Sequence, residues 1–367
     1  MRVLYFTRDY TPHDHRFLSA LAETEHEVHY LRLEKRGPER ESRAIPPRIK
    51  RIQWEGGDEP AQLRHGLKLL LGVRRVIREI KPDLIHAGPI QNVALLAALS
   101  GFKPLITMSW GYDLLIYANR SPIMRWLTKT VLKETTLLFC DNDAVAQQAI
   151  TLGFDREHII QFPWGVDLDH FSPGDAAEMR ARRGWEHDFV ILFNRAWEPL
   201  YGVDTFVKAF CRAAEQREDL RLLLLGTGSL AQIIRQTIQG AGLAGAVHLG
   251  GHVRNEDLPD YYRCADLYVS ASLTDGTSVS LLEALACGVP VLVSDIPGNQ
   301  QWVSDHVGAT FSVGDVDALT RKILDMAEMR DQLVEISRNA RELAVQKANW
   351  KQSIQTLLRG YDIAVNA

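Results

Sequence analysis

Two carboxylates and a helix start rich in small polar residues mark the run SLTDGTSVSLLEALACGVPVLVSD, residues 272–295. Asp275 and Gly276 read as loop, and Thr277 and Ser278 are good capping residues. The pattern predicts a helix over about 277–287, closed by Gly288 before the β-branched strand VPVLV. Leu281, Leu282 and Leu285 put an apolar stripe on one side of that helix. A helix start carries amides without intrahelical partners and about half a positive charge. The backbone of Gly276, Thr277, Ser278 and Val279, delivered to the end of a parallel sheet, therefore suits an anionic phosphate. Glu283 follows Asp275 by eight residues, about 12 Å if all of them are helical. One carboxylate can then face the near part of a ligand while the other reaches a hydroxyl further along. The plainer alternative is a buried α/β helix whose Glu283 only caps or pairs.

The elements that position these groups lie on either side. FVILFNR (189–195) is a buried strand with Arg195 at its end, where a guanidinium fork can make paired bonds to phosphate oxygens. RLLLLGTGS (221–229) runs a strand into Gly226 and Gly228, which allow close backbone approach to a ligand or simply a tight turn. VHLGGHV (247–253) ends at Val253, and ADLYVSAS leads into the opening run. In the first half, strands are expected at 2–6, 27–33, 51–54, 84–87, 104–110 and 137–141. Short β-rich runs alternating with helical patterns predict parallel sheets of βαβ units, whose ligands sit at the carboxyl ends of strands. The loops there hold His13 beside His15 and Arg16, then His86, then Trp110 and Asp113. Trp110 can stack on a sugar ring, His86 can equally be packing, and the paired His13 and His15 lack a third metal ligand nearby.

With 367 residues, 46% hydrophobic and 24% charged, the chain reads as globular and too long for one ordinary core. The punctuated run QFPWGVDLDHFSPGD divides it into domains 1–165 and 166–346, with a final helical region over about 347–367 returning to the first. Asp167 and Asp169 form a DxD that the linker explains better than a metal does. No apolar run reaches the roughly 18 residues of a membrane span, and MRVLYFTRDY opens as a strand, so a cytoplasmic location is expected. The four scattered cysteines are expected to be reduced core thiols.

Charge is uneven: residues 60–133 hold eleven Lys and Arg against three Asp and Glu. In LRHGLKLLLGVRRVIREIK, Leu67, Leu70, Leu71, Val73 and Ile77 are expected to face a core, with Arg64, Lys68, Arg74, Arg75, Arg78 and Lys81 outside. SPIMRWLTKTVLKE adds Arg125, Lys129 and Lys133 to an exposed-looking Ile123 and Met124 and to Trp126. These are either ordinary amphipathic helices or a peripheral contact with anionic membrane, on its cytoplasmic face. No nucleic-acid partner is expected.

The spacing of Asp275 and Glu283, followed by GVPVLVSD, resembles the acidic-x7-acidic signature of the retaining glycosyltransferases of family 4. The resemblance spans nearly the whole chain and is densest over 162–314. It implies an α/β fold of two Rossmann-like domains with parallel sheets facing across a cleft (GT-B), the C-terminal helix crossing back to the first domain. It further implies that Glu283 holds the ribose of a nucleotide-sugar, Asp275 the transferred sugar, the amides from Gly276 to Val279 the diphosphate, and Val253 the base. Gly226 and Gly228 join this donor side, Arg195, Asp275 and Asp113 form the catalytic group, and His13, His86 and Trp110 line the acceptor side. Several positions depart from the pattern. Asp275 stands where Glu is usual, Tyr201 stands where a Lys precedes Gly202, and Trp110 stands where His is frequent. Arg195 must then carry most of the side-chain positive charge. The implied reaction moves a sugar with retention from a nucleoside diphosphate, UDP being the expected carrier, to a glycan or lipid-linked saccharide in envelope or polysaccharide synthesis. It needs no cofactor and no metal. A nucleotide-sugar-binding protein without transferase activity stays open because of the absent Lys. A nicotinamide enzyme is disfavoured, since no GxGxxG follows the first strand.

Overall fold

The computed structural model describes residues 1–35 and 41–367. Within them the chain forms two compact units, Met1–Phe162 with Gln352–Ala367, and Pro163–Lys351.

The first unit is built on β1 (Arg2–Thr7), β2 (Glu27–Arg32), β3 (Lys50–Arg51), β4 (Leu84–Gly88), β5 (Leu105–Met108), β6 (Leu137–Cys140) and β7 (Ile159–Gln161). They pair in parallel in the order β3-β2-β1-β4-β5-β6-β7. Val3, Leu4, Tyr5 and Phe6 are buried in succession, as expected of a strand covered on both faces. The strand expected at 51–54 shrinks to Lys50–Arg51. Trp54 instead turns back, its Nε1 donating to the Arg32 carbonyl at 2.8 Å and its ring meeting Phe6 edge-on at 5.8 Å. The three-residue β7 was too short to stand out in the sequence.

The helix Gly66–Ile80 corrects one expectation. Its buried positions are Leu69, Gly72, Val73 and Val76, while Leu67 and Leu71 are 71% and 55% exposed. The segment carries apolar residues at 67, 69, 70, 71 and 73, so two stripes compete. The one containing Gly72 wins because the helix comes close to the chain beneath: a Cβ there would lie 2.4 Å from Glu55 Oε2 and 3.1 Å from Trp54. From Gln352 onward the final helix, Trp350–Asn366, belongs to this unit. Its Tyr361 is fully buried and stacks on Phe139.

The second unit is built on β8 (Phe189–Asn194), β9 (Leu220–Leu225), β10 (Val247–Gly251), β11 (Leu267–Ser270), β12 (Val291–Ser294) and β13 (Gly308–Phe311). The order is β10-β9-β8-β11-β12-β13, again parallel. Alternation along β8 feeds two cores: Val190 and Leu192 pack into one, Phe189, Ile191 and Phe193 into the other. All four cysteines are free thiols in buried positions. Asp167 caps a turn by accepting from the amides of Asp169 and His170, at 3.0 and 3.2 Å, and Asp169 pairs with Lys351. The DxD is thus spent on local structure. Among the described residues no helix is long and apolar enough to cross a membrane.

Both sheets grow outward in two directions from one internal pair, β1 with β4 in the first and β8 with β11 in the second. The chain leaves the carboxyl ends of those two strands in opposite directions, which opens a crevice for a ligand. In the second unit the loops at that point carry Arg195 and residues 271–278.

Candidate active site at the end of the second sheet

The loop after β11 reaches the helix Val279–Ala286, two residues later than expected, with Ser278 as its N-cap bonding the Leu281 amide at 3.4 Å. Asp275 therefore lies in the loop and not on the helix, so the 12 Å helical separation from Glu283 does not apply. The expected one-sided apolar stripe is also absent, because every residue from Ser280 to Ala286 is buried. Such a helix is core on all sides. Its amino end lies next to the crevice. By helix geometry the amides of Val279 and Ser280 have no carbonyl a turn earlier in the helix to bond to.

Arg195, the residue after β8, reaches across to this helix start. Its Nη1 donates to Ser278 Oγ at 2.5 Å and to Ser280 Oγ at 3.1 Å, and its Nη2 pairs with Asp275 Oδ2 at 2.5 Å. Both side chains are mostly covered, 12% and 21% exposed. The guanidinium also lies over the Tyr201 ring, 4.3 Å from its centre, in a cation–π contact. Burial opposes its charge, but Asp275, Tyr201 and Tyr268 more than offset this and raise its pKa. Arg195 is therefore charged at every working pH, and its Nε is buried with no hydrogen-bond partner. Tyr201, which replaces the Lys of the family pattern, is used as the floor under Arg195.

Close backbone approach explains the glycines. Gly202 has φ +60° and would bring a Cβ to 2.1 Å from the Ala271 carbonyl, a position few other residues could fill. Gly226, at φ +98°, packs on the Arg195 carbonyl, and Gly228 on that of Trp197. The Glu198 carboxylate, accepting from the Ser229 amide at 2.9 Å, and the Trp197 amide, donating to Thr227 at 2.9 Å, lace the two loops together. Gly298, which sequence reasoning passed over, is tighter still. A Cβ there would sit 2.1 Å from the Gly276 carbonyl and 2.7 Å from that of Asp275. Thr277 accepts from Gln301 Nε2 at 2.9 Å and Trp302 Nε1 at 3.4 Å. The segment 297–302 thus clamps the loop that carries Asp275; its PGNQQW sequence was the available signal. Val253 lies two residues beyond β10 and packs partly against the core.

Glu283 is buried, 8% exposed, and accepts from Tyr262 Oη at 2.8 Å. It starts the second turn of the helix, about 6 Å of rise beyond Val279. Asp275, Gly276, Thr277, Ser278, Val279, Arg195 and Glu283 are thus gathered at one helix and its entry loop.

In the first unit two of the three acceptor-side candidates come together. His13, in the first turn of the helix Pro12–Ala22, lies with its ring 5.1 Å from that of Trp110. His86 does not join them. It is 2% exposed, its Nδ1 is 2.7 Å from Tyr361 Oη, and Tyr5, Phe139 and Tyr361 surround it edge-on. Burial pushes its pKa down to about 3. It is a neutral core histidine, and the acceptor-side expectation is corrected. Asp113, the catalytic candidate of this unit, is also buried among polar partners. It is 5% exposed, with Oδ1 taking the Ser109 hydroxyl at 2.5 Å and the Leu114 amide at 3.0 Å, and Oδ2 taking the Ile90 amide at 3.1 Å. Burial raises its pKa against those bonds. Its work is to tie the loop after β4 to the loop after β5.

Comparison with known proteins gives the family and the fold. Residues 175–343 match the family described as glycosyl transferases group 1, and residues 2–142 match glycosyl transferase 4-like. The chain is 29% identical over 249 residues to a D-inositol 3-phosphate glycosyltransferase of Geodermatophilus obscurus, a match covering 64% of this chain and 54% of that protein. It is 24% identical over 357 residues to a GDP-mannose-dependent alpha-(1-6)-phosphatidylinositol monomannoside mannosyltransferase of Mycobacterium tuberculosis, covering 88% and 92%. It thus spans about half the length of the first relative and nearly all of the second. Its fold superposes on Anabaena HepE in complex with UDP and glucose with a TM-score of 0.80 at 18% identity, over 99% of each chain. The chain belongs to the group 1, family 4 glycosyltransferases and has their two-Rossmann-domain GT-B fold.

Proposed function

We propose that this protein transfers a sugar, with retention of anomeric configuration, from a nucleoside diphosphate to the hydroxyl of a glycan or lipid-linked saccharide. The observation that carries the reading is the clasp of Arg195 on Asp275, Ser278 and Ser280 at the amino end of the helix Val279–Ala286. A fixed guanidinium and a helix start, both set before the ligand arrives, stabilise negative charge as it builds on a leaving diphosphate without reorganising. In the step the sugar C1–phosphate bond breaks and a C1–oxygen bond forms to the acceptor on the same face. The acceptor proton passes to the departing phosphate oxygen. Asp275 orients the sugar and Glu283 receives ribose hydroxyls. The protein positive charge takes the place of a divalent ion, so the reaction runs without metal or cofactor.

UDP is the proposed carrier: the Anabaena structure was solved with UDP. The mycobacterial relative is named for GDP-mannose, so both bases belong in the test. Incubating the protein with UDP- and GDP-sugars and a panel of saccharide acceptors, with and without EDTA, should give product whose anomeric proton coupling matches the donor, at a rate EDTA leaves unchanged. Inverted product or EDTA-abolished turnover would refute the mechanism. Donor binding without turnover on any acceptor would favour a binding protein.

The same reading places the protein on anionic membrane. Leu67 and Leu71 start the helix Gly66–Ile80, and Ile123 and Trp126, 67% and 64% exposed, start the helix Pro122–Glu134. Both helices begin at the carboxyl-end rim of the sheet and carry exposed Lys68 and Lys129. Apolar helix starts with basic side chains further along the same helices suit an acidic bilayer surface. Flotation with phosphatidylglycerol vesicles should carry the protein up, phosphatidylcholine vesicles should not, and Leu67→Ser with Trp126→Ser should abolish the difference. Equal flotation with both lipids would refute this contact.

A further inference from the structure

Glu283 and Arg195 stand on different elements, with Tyr262 and Ser280 lying between them. Asn194, the last residue of β8, donates its Nδ2 to Tyr262 Oη at 3.1 Å. That phenol oxygen lies 2.8 Å from Glu283 Oε2 and 3.1 Å from the Ser280 carbonyl. The Ser280 hydroxyl is bonded by Tyr268 Oη at 2.9 Å and by Arg195 at 3.1 Å, and lies 2.9 Å from Ser278 Oγ. Tyr262 and Tyr268 are both fully buried.

A phenol has a single proton to give. Of the two acceptors within reach, the carboxylate is nearer and charged, so it takes that proton. The Asn194 amide enters the phenol oxygen from its other side, which polarises the O–H further toward Glu283. Phe171 and Tyr268 pack against the Tyr262 ring, with ring centres 5.9 and 6.0 Å away. Burial and the Glu283 charge raise the Tyr262 pKa well above its ordinary value, so the proton stays in place at every working pH. A carboxylate offers about four acceptor directions. The Tyr262 bond occupies one of them and thereby sets where the rest point.

We propose that Tyr262, oriented by Asn194, is the positioning residue that aims the Glu283 carboxylate at the ribose and makes this site select a ribonucleoside diphosphate over its deoxy counterpart. The inference rests on the reading that Glu283 contacts ribose. The neighbourhood of Asn194 and Arg195 adds a consequence: one strand end supports the sugar-facing carboxylate and the phosphate-facing guanidinium together.

Calorimetric titration of the wild type, Glu283→Gln and Tyr262→Phe with UDP, 2′-deoxy-UDP and 3′-deoxy-UDP, the guanosine series run alongside, tests it. The wild type should prefer the ribonucleotide over at least one deoxy analogue by about tenfold, the scale of a hydrogen bond to a charged group. Tyr262→Phe should lose most of that preference by weakening UDP while binding the deoxy analogue as before. Asn194→Leu should shrink it about threefold, as befits a bond acting through another, and this variant serves if Tyr262→Phe does not fold. A merely structural tyrosine would weaken all three ligands alike; an unchanged ratio in these variants overturns the inference. A wild type that does not discriminate, or a Glu283→Gln variant that discriminates fully, overturns the ribose reading itself, and either is recognisable without Tyr262→Phe.

Discussion

Replacing Arg195 by Ala should damage turnover far more than replacing Glu283 by Ala. The guanidinium lies within 2.5 Å of Ser278 Oγ and of Asp275 Oδ2, at the helix start where the proposed mechanism puts the leaving diphosphate. If it makes two charge-assisted bonds to that group, each worth about 1.5–3 kcal/mol, its loss removes roughly 3–6 kcal/mol. That corresponds to a fall of about 10²- to 10⁴-fold in kcat. Glu283, by contrast, is to bind ribose equally before and during bond cleavage, so Glu283→Ala should raise KM and change kcat by less than about tenfold. Initial rates over a range of donor concentration, with acceptor saturating, separate the two. Arg195→Lys, which keeps the charge but not the fork, should fall between. Equal losses of kcat in Arg195→Ala and Glu283→Ala would refute this division of labour. Because Arg195→Ala also leaves Asp275 without its ion partner, each variant needs a melting curve beside its rate.

Two other outcomes follow from the packing and the buried charges. Gly298→Ala must push the carbonyls of Asp275 and Gly276 aside, since its Cβ would lie 2.1 Å from one of them; strain of about 1–3 kcal/mol is expected, read as a lower melting temperature together with at least a tenfold loss of donor affinity. Asp14 caps the helix Pro12–Ala22 from a buried position, and burial lifts its carboxyl to about 7 against the bonds from Thr11 and Thr7. A carboxyl raised on folding stabilises most when protonated, so its contribution is complete below the unfolded pKa and is lost as pH rises toward 7. The stability of Asp14→Asn relative to wild type should therefore improve between pH 4 and 7, by up to about 4 kcal/mol, in denaturant titrations at each pH. A pH-independent difference would count against that carboxyl being buried.

Much of the second unit was readable because its signals are local. Ser278 caps, Gly288 takes a positive φ of 71° that closes the helix, and VPVLV is a strand wherever it is placed. The boundary moved to Val279 because Thr277 is held sideways by Gln301 and Trp302, a contact made by a segment more than twenty residues away. For the same reason Tyr201 read as the mere absence of a Lys, when it lies under Arg195. Nothing in sequence spacing links Tyr262 to Glu283, or Gly298 to Gly276. In the first unit His86 and Asp113 stood at strand ends, where ligands are expected, but strand ends also supply the core with its last polar groups. His86 went to Tyr361, a residue from the far end of the chain that no local pattern could supply.

The central claim is that the amino end of the helix Val279–Ala286, with Arg195, holds a nucleoside diphosphate. A thermal-melt screen of UDP, GDP and ADP against their monophosphates tests it most directly, since a ligand bound only by the folded chain raises its melting temperature. At about 100 times Kd the stabilisation is near 2.7 kcal/mol, a rise of roughly 5 °C or more for domains of this size. The account predicts that rise for at least one diphosphate, much less for the matching monophosphate, and its loss in Arg195→Ala. A monophosphate as effective as its diphosphate, or no response to any of the three, would contradict it.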